Sequence, residues 1–97
     1  MPRASRSIAV QRVQTGIRME KRILKVLKAL ADLKEISLGD LLEGIVLHAF
    51  EGKAPFGDET LAQVRALKKV FALDLDASAS HRLSDAPASR KRKKTGV

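Results

Sequence analysis

Residues 13–19 read VQTGIRM, and this stretch decides which fold the sequence predicts. Along a strand, successive side chains point to opposite faces. One face would hold the more apolar side chains, namely Val13, Thr15, Ile17 and Met19. The other face would present Gln14, Gly16 and Arg18. A lone strand leaves its backbone groups unpaired, and no second strand is predicted downstream. We therefore predict pairing with the same strand of a second copy.

Helical patterns follow this stretch without an intervening turn. Apolar residues recur every three or four positions across residues 20–35, which predicts an amphipathic helix there. A second helix is predicted over residues 38–51, with Ser37 as its N-terminal cap and Gly52 at its C-terminal end. The apolar stripe of this second helix is broad enough to meet both its own chain and a partner.

A third amphipathic helix is predicted over residues 59–72, with Asp58 as its cap. One stripe carries its apolar residues, which are Leu61, Val64, Leu67 and Phe71. The stripe fits packing on the same subunit, across a dimer or on another protein.

Size and composition favour one small domain that needs a partner. The chain has 97 residues, of which 44% are hydrophobic. Setting aside both polar ends leaves roughly 60 residues, a size at which burial in a monomer is marginal. There is no Cys, so disulfides cannot stabilise the fold, and oligomerisation is the common alternative. No apolar run approaches the roughly 18 residues of a membrane span, so we expect a cytoplasmic protein.

Positive charge is concentrated at the two ends. Residues 1–28 hold eight Lys or Arg and one acidic residue, whereas residues 29–89 hold six basic and ten acidic residues. Residues 90–97 add five more basic side chains. This distribution indicates a polyanionic partner such as nucleic acid, although charge that serves solubility alone would look similar. Aromatic residues make up only 3%, which disfavours recognition of single strands by base stacking.

The order of strand, helix and capped helix resembles the ribbon-helix-helix DNA-binding proteins of the Arc, MetJ and CopG type. The resemblance covers residues 12–52 and is carried by Ile17, Arg18, Met19, Ile23, Val26, Leu27, Leu30, Ser37, Leu38, Leu42 and Val46. It implies a mostly α fold, in which a homodimer shares an intermolecular two-stranded antiparallel ribbon, here with one additional C-terminal helix. Around it we expect a flexible basic arm (1–11), a linker with an amphipathic helix (53–75) and a disordered basic tail (76–97).

The resemblance also assigns the DNA contacts. Gln14, Gly16 and Arg18 would face the bases of the major groove, although Gly16 has no side chain to read one. The backbone amides of Ser37, Leu38 and Gly39 would hold a phosphate at a helix N-terminus. Further phosphate contacts would come from the basic side chains Arg12, Lys21, Arg22 and Lys25.

These features predict a homodimeric, nucleoid-associated double-stranded DNA-binding protein that acts as a transcriptional repressor, with higher-order assembly on DNA left open. The alternatives are an antitoxin, in which the third helix and residues 76–97 bind a toxin, and a plasmid or chromosome segregation protein. A non-specific nucleoid or membrane-surface binder is a further class. No catalytic motif or phosphate-binding glycine loop is present, so we expect no enzyme activity and no cofactor. His48 and His81 lack neighbouring ligands in sequence, so no metal is expected.

Overall fold

The computed structural model describes residues 7–86, which contain three α-helices and one short 3-10 helix. The α-helices are α1 (Lys21–Lys34), α2 (Leu38–Phe50) and α3 (Asp58–Val70), and the 3-10 helix is Ala77–Ala79. The three predicted helices are confirmed, each to within one or two residues at its ends. Residues 1–6 of the predicted arm and residues 87–97 of the predicted tail lie outside the described residues.

The predicted strand at residues 13–19 is wrong, and so are the ribbon-helix-helix fold and the intermolecular ribbon that depend on it. Residues 7–86 include no strand, and residues 7–20 (the N-terminal segment) have no regular secondary structure. A strand is defined by hydrogen bonds to a neighbouring strand, and nothing in this part of the chain supplies one. Alternation of side chains alone therefore did not produce a sheet. The segment is exposed from its start to Arg18, so water can solvate its backbone.

Glutamates occupy both cap positions of α1. Glu20 is its N-cap, and a side-chain oxygen of Glu20 accepts a hydrogen bond of 2.9 Å from the amide of Ile23. At the other end Glu35 adopts the left-handed conformation, with φ of 58°. The amide of Ile36 then donates to the carbonyl of Ala31 at 3.0 Å, which ends the helix and turns the chain toward α2.

The ends of α2 follow the sequence prediction more closely than the start of α3. The hydroxyl of Ser37 accepts a 3.0 Å hydrogen bond from the amide of Asp40, which confirms the predicted cap. Gly52 has a φ of 70° and donates its amide to Ala49, as expected at a helix C-terminus. The N-cap of α3 is Gly57 rather than the predicted Asp58, which is instead the first helical residue.

The core lies where α1 packs against both α2 and α3. Its buried centre consists of Leu30, Ala31 and Leu41. Half-buried residues surround that centre, namely Leu27, Ile36, Ile45, Phe56, Val64 and Leu67. Since Val64 and Leu67 belong to the apolar stripe of α3, this stripe extends the core of its own subunit.

None of the helices within residues 7–86 could cross a lipid bilayer. The longest, α1, has 14 residues. At 1.5 Å per residue it spans roughly 21 Å, against a hydrocarbon core of roughly 30 Å.

Candidate nucleic-acid interface

A stripe of lysines runs along the exposed side of α1. Lys21, Lys25 and Lys28 are all exposed, and their spacing of four and then three residues places them on one face of the helix. Lys21 and Lys25 were predicted to contact phosphates, whereas Lys28 was not. The same periodicity that predicted the buried face would have identified Lys28. We call these three residues the lysine stripe.

The three residues predicted to face bases precede this stripe in the N-terminal segment. Gln14, Gly16 and Arg18 are all exposed. A Cβ atom placed on Gly16 would have no other atom within 4 Å, so no close approach inside the subunit requires a glycine there. Arg18 forms an ion pair with Asp85, and the hydrogen bond to that carboxylate raises the pKa of the guanidinium. No local sequence signal points to Asp85 as the partner of a residue 67 positions earlier.

Arg12 connects the N-terminal segment to α2. Its guanidinium donates two hydrogen bonds to the carboxylate of Glu43, at 2.8 and 2.7 Å. This paired geometry is the most directional arrangement available to the two groups. The hydrogen bond from Arg12 lowers the pKa of Glu43 below its ordinary value. The predicted phosphate ligand Arg12 is therefore engaged with a carboxylate of its own subunit.

Arg22 joins the beginning of α1 to the end of α3. It donates to Glu20 at 2.9 Å, to the carbonyl of Ala72 at 3.0 Å and to Asp74 at 3.1 Å. Its side chain is only 35% exposed, in contrast to the freely exposed lysine stripe. These bonds give Arg22 a structural role in addition to the phosphate contact predicted for it.

The predicted phosphate clamp at Ser37, Leu38 and Gly39 lies beyond the opposite end of α1 from Lys21. The 14 residues of α1, roughly 21 Å of helix, lie between the two places. The hydroxyl of Ser37 caps α2, while the amides of Leu38 and Gly39 belong to its first turn, where helical carbonyl partners are lacking.

A mainly apolar groove lies between the N-terminal segment and α2. It has a volume of about 500 Å³. Its lining consists of Ile8, Val10, Gln11, Arg12, Leu42, Glu43, Val46 and Leu47. Several of these side chains remain in contact with water: Ile8 is 85% exposed, Val10 64% and Leu47 64%. We call this surface the apolar groove.

The function of this surface has to be inferred from its own chemistry. No model of a protein family, no curated protein and no solved structure matches the chain. What the described residues offer is a row of exposed cations on a rigid helix, next to a segment with exposed polar side chains, and an apolar groove on a second helix.

We expect the folded state to lose stability as the pH falls below about 4.5. The pKa of Glu20 is lowered mainly by the amide of Ile23, and that of Glu43 mainly by Arg12, from ordinary values of 4.5. Unfolding restores the ordinary value, so the unfolded chain binds more protons in this range. The stabilisation is complete above pH 4.5 and disappears as the pH falls through the folded-state pKa values.

Urea unfolding followed by circular dichroism between pH 7 and pH 3 measures this effect. Glu43→Gln should be less stable than the unmodified protein at pH 7, and the difference should shrink toward pH 3. A difference that stays constant over this range would show that the Arg12–Glu43 pair does not contribute to the pH dependence.

Proposed function

We propose that this protein is a homodimeric double-stranded DNA-binding protein that represses transcription by occluding its binding site. The observation that supports this most strongly is the lysine stripe. Three exposed ammonium groups share one face of a rigid helix, directly after a segment that presents Arg18 and Gln14. Rows of cations at helical spacing match the regular negative charge of a duplex backbone.

In this proposal the lysine stripe holds DNA phosphates and positions the protein without reading sequence. The N-terminal segment enters the adjoining groove as an irregular arm, so the mechanism requires no sheet. Arg18 would donate two hydrogen bonds to guanine, and Gln14 would bond to adenine. Because each such contact is worth about 1–3 kcal/mol of discrimination, two reading positions per subunit give a moderate sequence preference.

Duplex DNA fits the composition better than single strands or RNA loops do. Proteins that bind unpaired bases stack them on aromatic side chains, and this chain has three Phe and no Trp or Tyr. The cations are instead placed on a straight helix face, which suits contact with a regular backbone. A duplex also offers donors and acceptors at base edges for Arg18 and Gln14.

The second copy is proposed to cover the apolar groove. Only four hydrophobic side chains are buried within residues 7–86, namely Val26, Leu30, Ala31 and Leu41. Such a small core leaves a monomer marginally stable, and further burial would stabilise it. The groove also contains the Arg12–Glu43 pair. Two such grooves facing each other across a two-fold axis would bury their exposed apolar side chains, and the Arg12–Glu43 pair is neutral as a whole, so it would not repel its copy.

The antitoxin alternative has no comparable support in the described residues. In that alternative the third helix and residues 76–97 would bind a toxin, and of the apolar stripe of α3, Val64 and Leu67 already pack on the core of their own subunit. The segregation alternative shares the DNA contacts and differs only in partners. We therefore retain repression as the proposed role.

Replacing Arg18 tests the assignment of sequence reading. Selection of bound duplexes from a random pool, at two salt concentrations, first defines the preferred site. For that site, Arg18→Ala should weaken binding by about 5- to 150-fold and relax the base preference, because the contact to guanine is lost.

Lys25→Ala is the matched control for this measurement. It should weaken binding to all duplexes alike and make the logarithmic salt dependence shallower by about one unit per lost phosphate contact. If Arg18→Ala retains both the affinity and the preference of the unmodified protein, the assigned reading position is wrong.

A further inference from the structure

The end of the described chain folds back onto the proposed reading position. Residues 82–86, which we call the C-terminal segment, carry Asp85, whose carboxylate pairs with the guanidinium of Arg18. A cleft of about 390 Å³ lies between the two stretches. Leu83, Ser84 and Asp85 line one side, and residues 18–20 with Ile23 line the other.

Hydrogen bonds among the residues between α3 and the C-terminal segment hold that segment in place. Lys68 of α3 donates to the carbonyl of Leu75 at 2.8 Å. The carboxylate of Asp76 accepts from the amide of Ser78 at 3.0 Å and so starts the short 3-10 helix. Arg82 then donates to the carbonyl of Ser78 at 3.1 Å. This series of local contacts leads the chain from the end of α3 to Arg18.

A carboxylate on Arg18 excludes DNA from the same donors. Asp85 bonds to one guanidinium nitrogen of Arg18, Nη2, and a bidentate contact with a guanine edge would also use that nitrogen. Asp85 also places a negative charge at the entrance to the surface where a polyanion would bind. A bidentate contact with guanine that uses Nη2 therefore competes with Asp85 for Arg18.

We propose that the C-terminal segment is an intramolecular competitor of DNA, in which Asp85 masks Arg18 until the duplex displaces it. This inference rests on the proposed function, because it requires Arg18 to contact DNA. Solvent weakens this ion pair, because the side chain of Arg18 is 85% exposed and that of Asp85 is 73% exposed. Exposed ion pairs of this kind change an equilibrium by about two- to fivefold, which sets the size of the masking effect.

The experiment compares full-length variants in binding to the selected duplex, by fluorescence anisotropy at one salt concentration. Asp85→Asn removes the masking charge. Asp58→Asn changes the net charge equally, at an exposed carboxylate that begins α3, at the end of that helix opposite the one that contacts Arg22, and no ion pair involves Asp58 among residues 7–86. We expect Asp85→Asn to bind about two- to fivefold more tightly than Asp58→Asn. In an Arg18→Ala background, Asp85→Asn should bind no more tightly than Asp58→Asn.

Two results would overturn the masking proposal on its own. One is equal affinity of Asp85→Asn and Asp58→Asn while Arg18→Ala still weakens binding. The other is an advantage of Asp85→Asn that persists in the Arg18→Ala background, since Asp85 would then act elsewhere. If Arg18→Ala leaves the duplex affinity unchanged, Arg18 does not contact DNA. The assigned DNA contact then fails, and the masking proposal fails with it.

Discussion

Leu30→Ala is expected to lower the free energy of unfolding by about 2–5 kcal/mol. Leu30 is 1% exposed and lies at the centre of the core between α1 and α2. Truncation removes favourable burial and leaves a cavity that helices on both sides cannot easily fill. Small proteins have total unfolding free energies of about 5–15 kcal/mol, so the loss is a large part of the total. Urea unfolding followed by circular dichroism measures it.

Leu33→Ala is the control, since it makes the same chemical change on the same helix. Leu33 is 56% exposed, and its truncation should change stability by no more than about 0.5 kcal/mol. Equal destabilisation by the two variants would contradict the arrangement of the core. It would mean that the faces of α1 are not oriented as described.

Leu47→Glu is expected to convert the proposed dimer to monomers and to weaken DNA binding by about a hundredfold or more. Leu47 lines the apolar groove and is 64% exposed in the single subunit. In a two-fold dimer each subunit would contribute one new carboxylate, and burying an unpaired charge is strongly unfavourable. A dimer holds DNA by two linked contacts, so its loss removes the benefit of binding both at once.

Sedimentation at micromolar concentration gives the oligomeric state, and duplex binding gives the affinity. Leu33→Glu introduces the same charge at a similarly exposed leucine outside the apolar groove, so it should leave the oligomeric state unchanged, and its effect on duplex binding measures the effect of added negative charge alone. An unmodified protein that already sediments as a monomer would refute the dimer. So would a Leu47→Glu variant that remains dimeric.

Sequence alone predicted the helices well because their signals are local. The apolar periodicity of α1 and the Ser37 cap of α2 depend on residues three or four positions apart, and a helix forms its hydrogen bonds over the same distance. Glu20 was assigned to the helix itself, although it is the N-cap, because glutamate is an uncommon residue at that position.

The strand prediction failed because a strand depends on a partner that its own residues do not encode. Residues 13–19 alternate as a strand would, yet a sheet also requires a second edge, and residues 7–86 provide none. What holds the N-terminal segment is instead a pair of arginines, Arg12 on Glu43 and Arg18 on Asp85. These contacts join residues 31 and 67 positions apart, and charge counting cannot identify such partners.

For the candidate site, the sequence correctly predicted that Lys21 and Lys25 are exposed, but it did not show which basic side chains are bonded to other residues of the same chain. Lys21 and Lys25 are exposed as their helical positions predict. Arg22 looked equivalent to them, yet it is bonded to Glu20, Ala72 and Asp74. The difference arises from α3, which ends beside the start of α1 and brings acceptors to this one arginine.

The attachment of Arg22 to Asp74 has a consequence for how the protein would respond to its surroundings. It fixes the point from which the chain continues to Asp85, only eleven residues further on. A competitor on so short a tether faces Arg18 at an effective concentration in the millimolar range, whatever the cellular level of the protein. Dilution or overexpression would therefore not unmask Arg18. Ionic strength would act on both partners, since salt screens the carboxylate and the duplex alike.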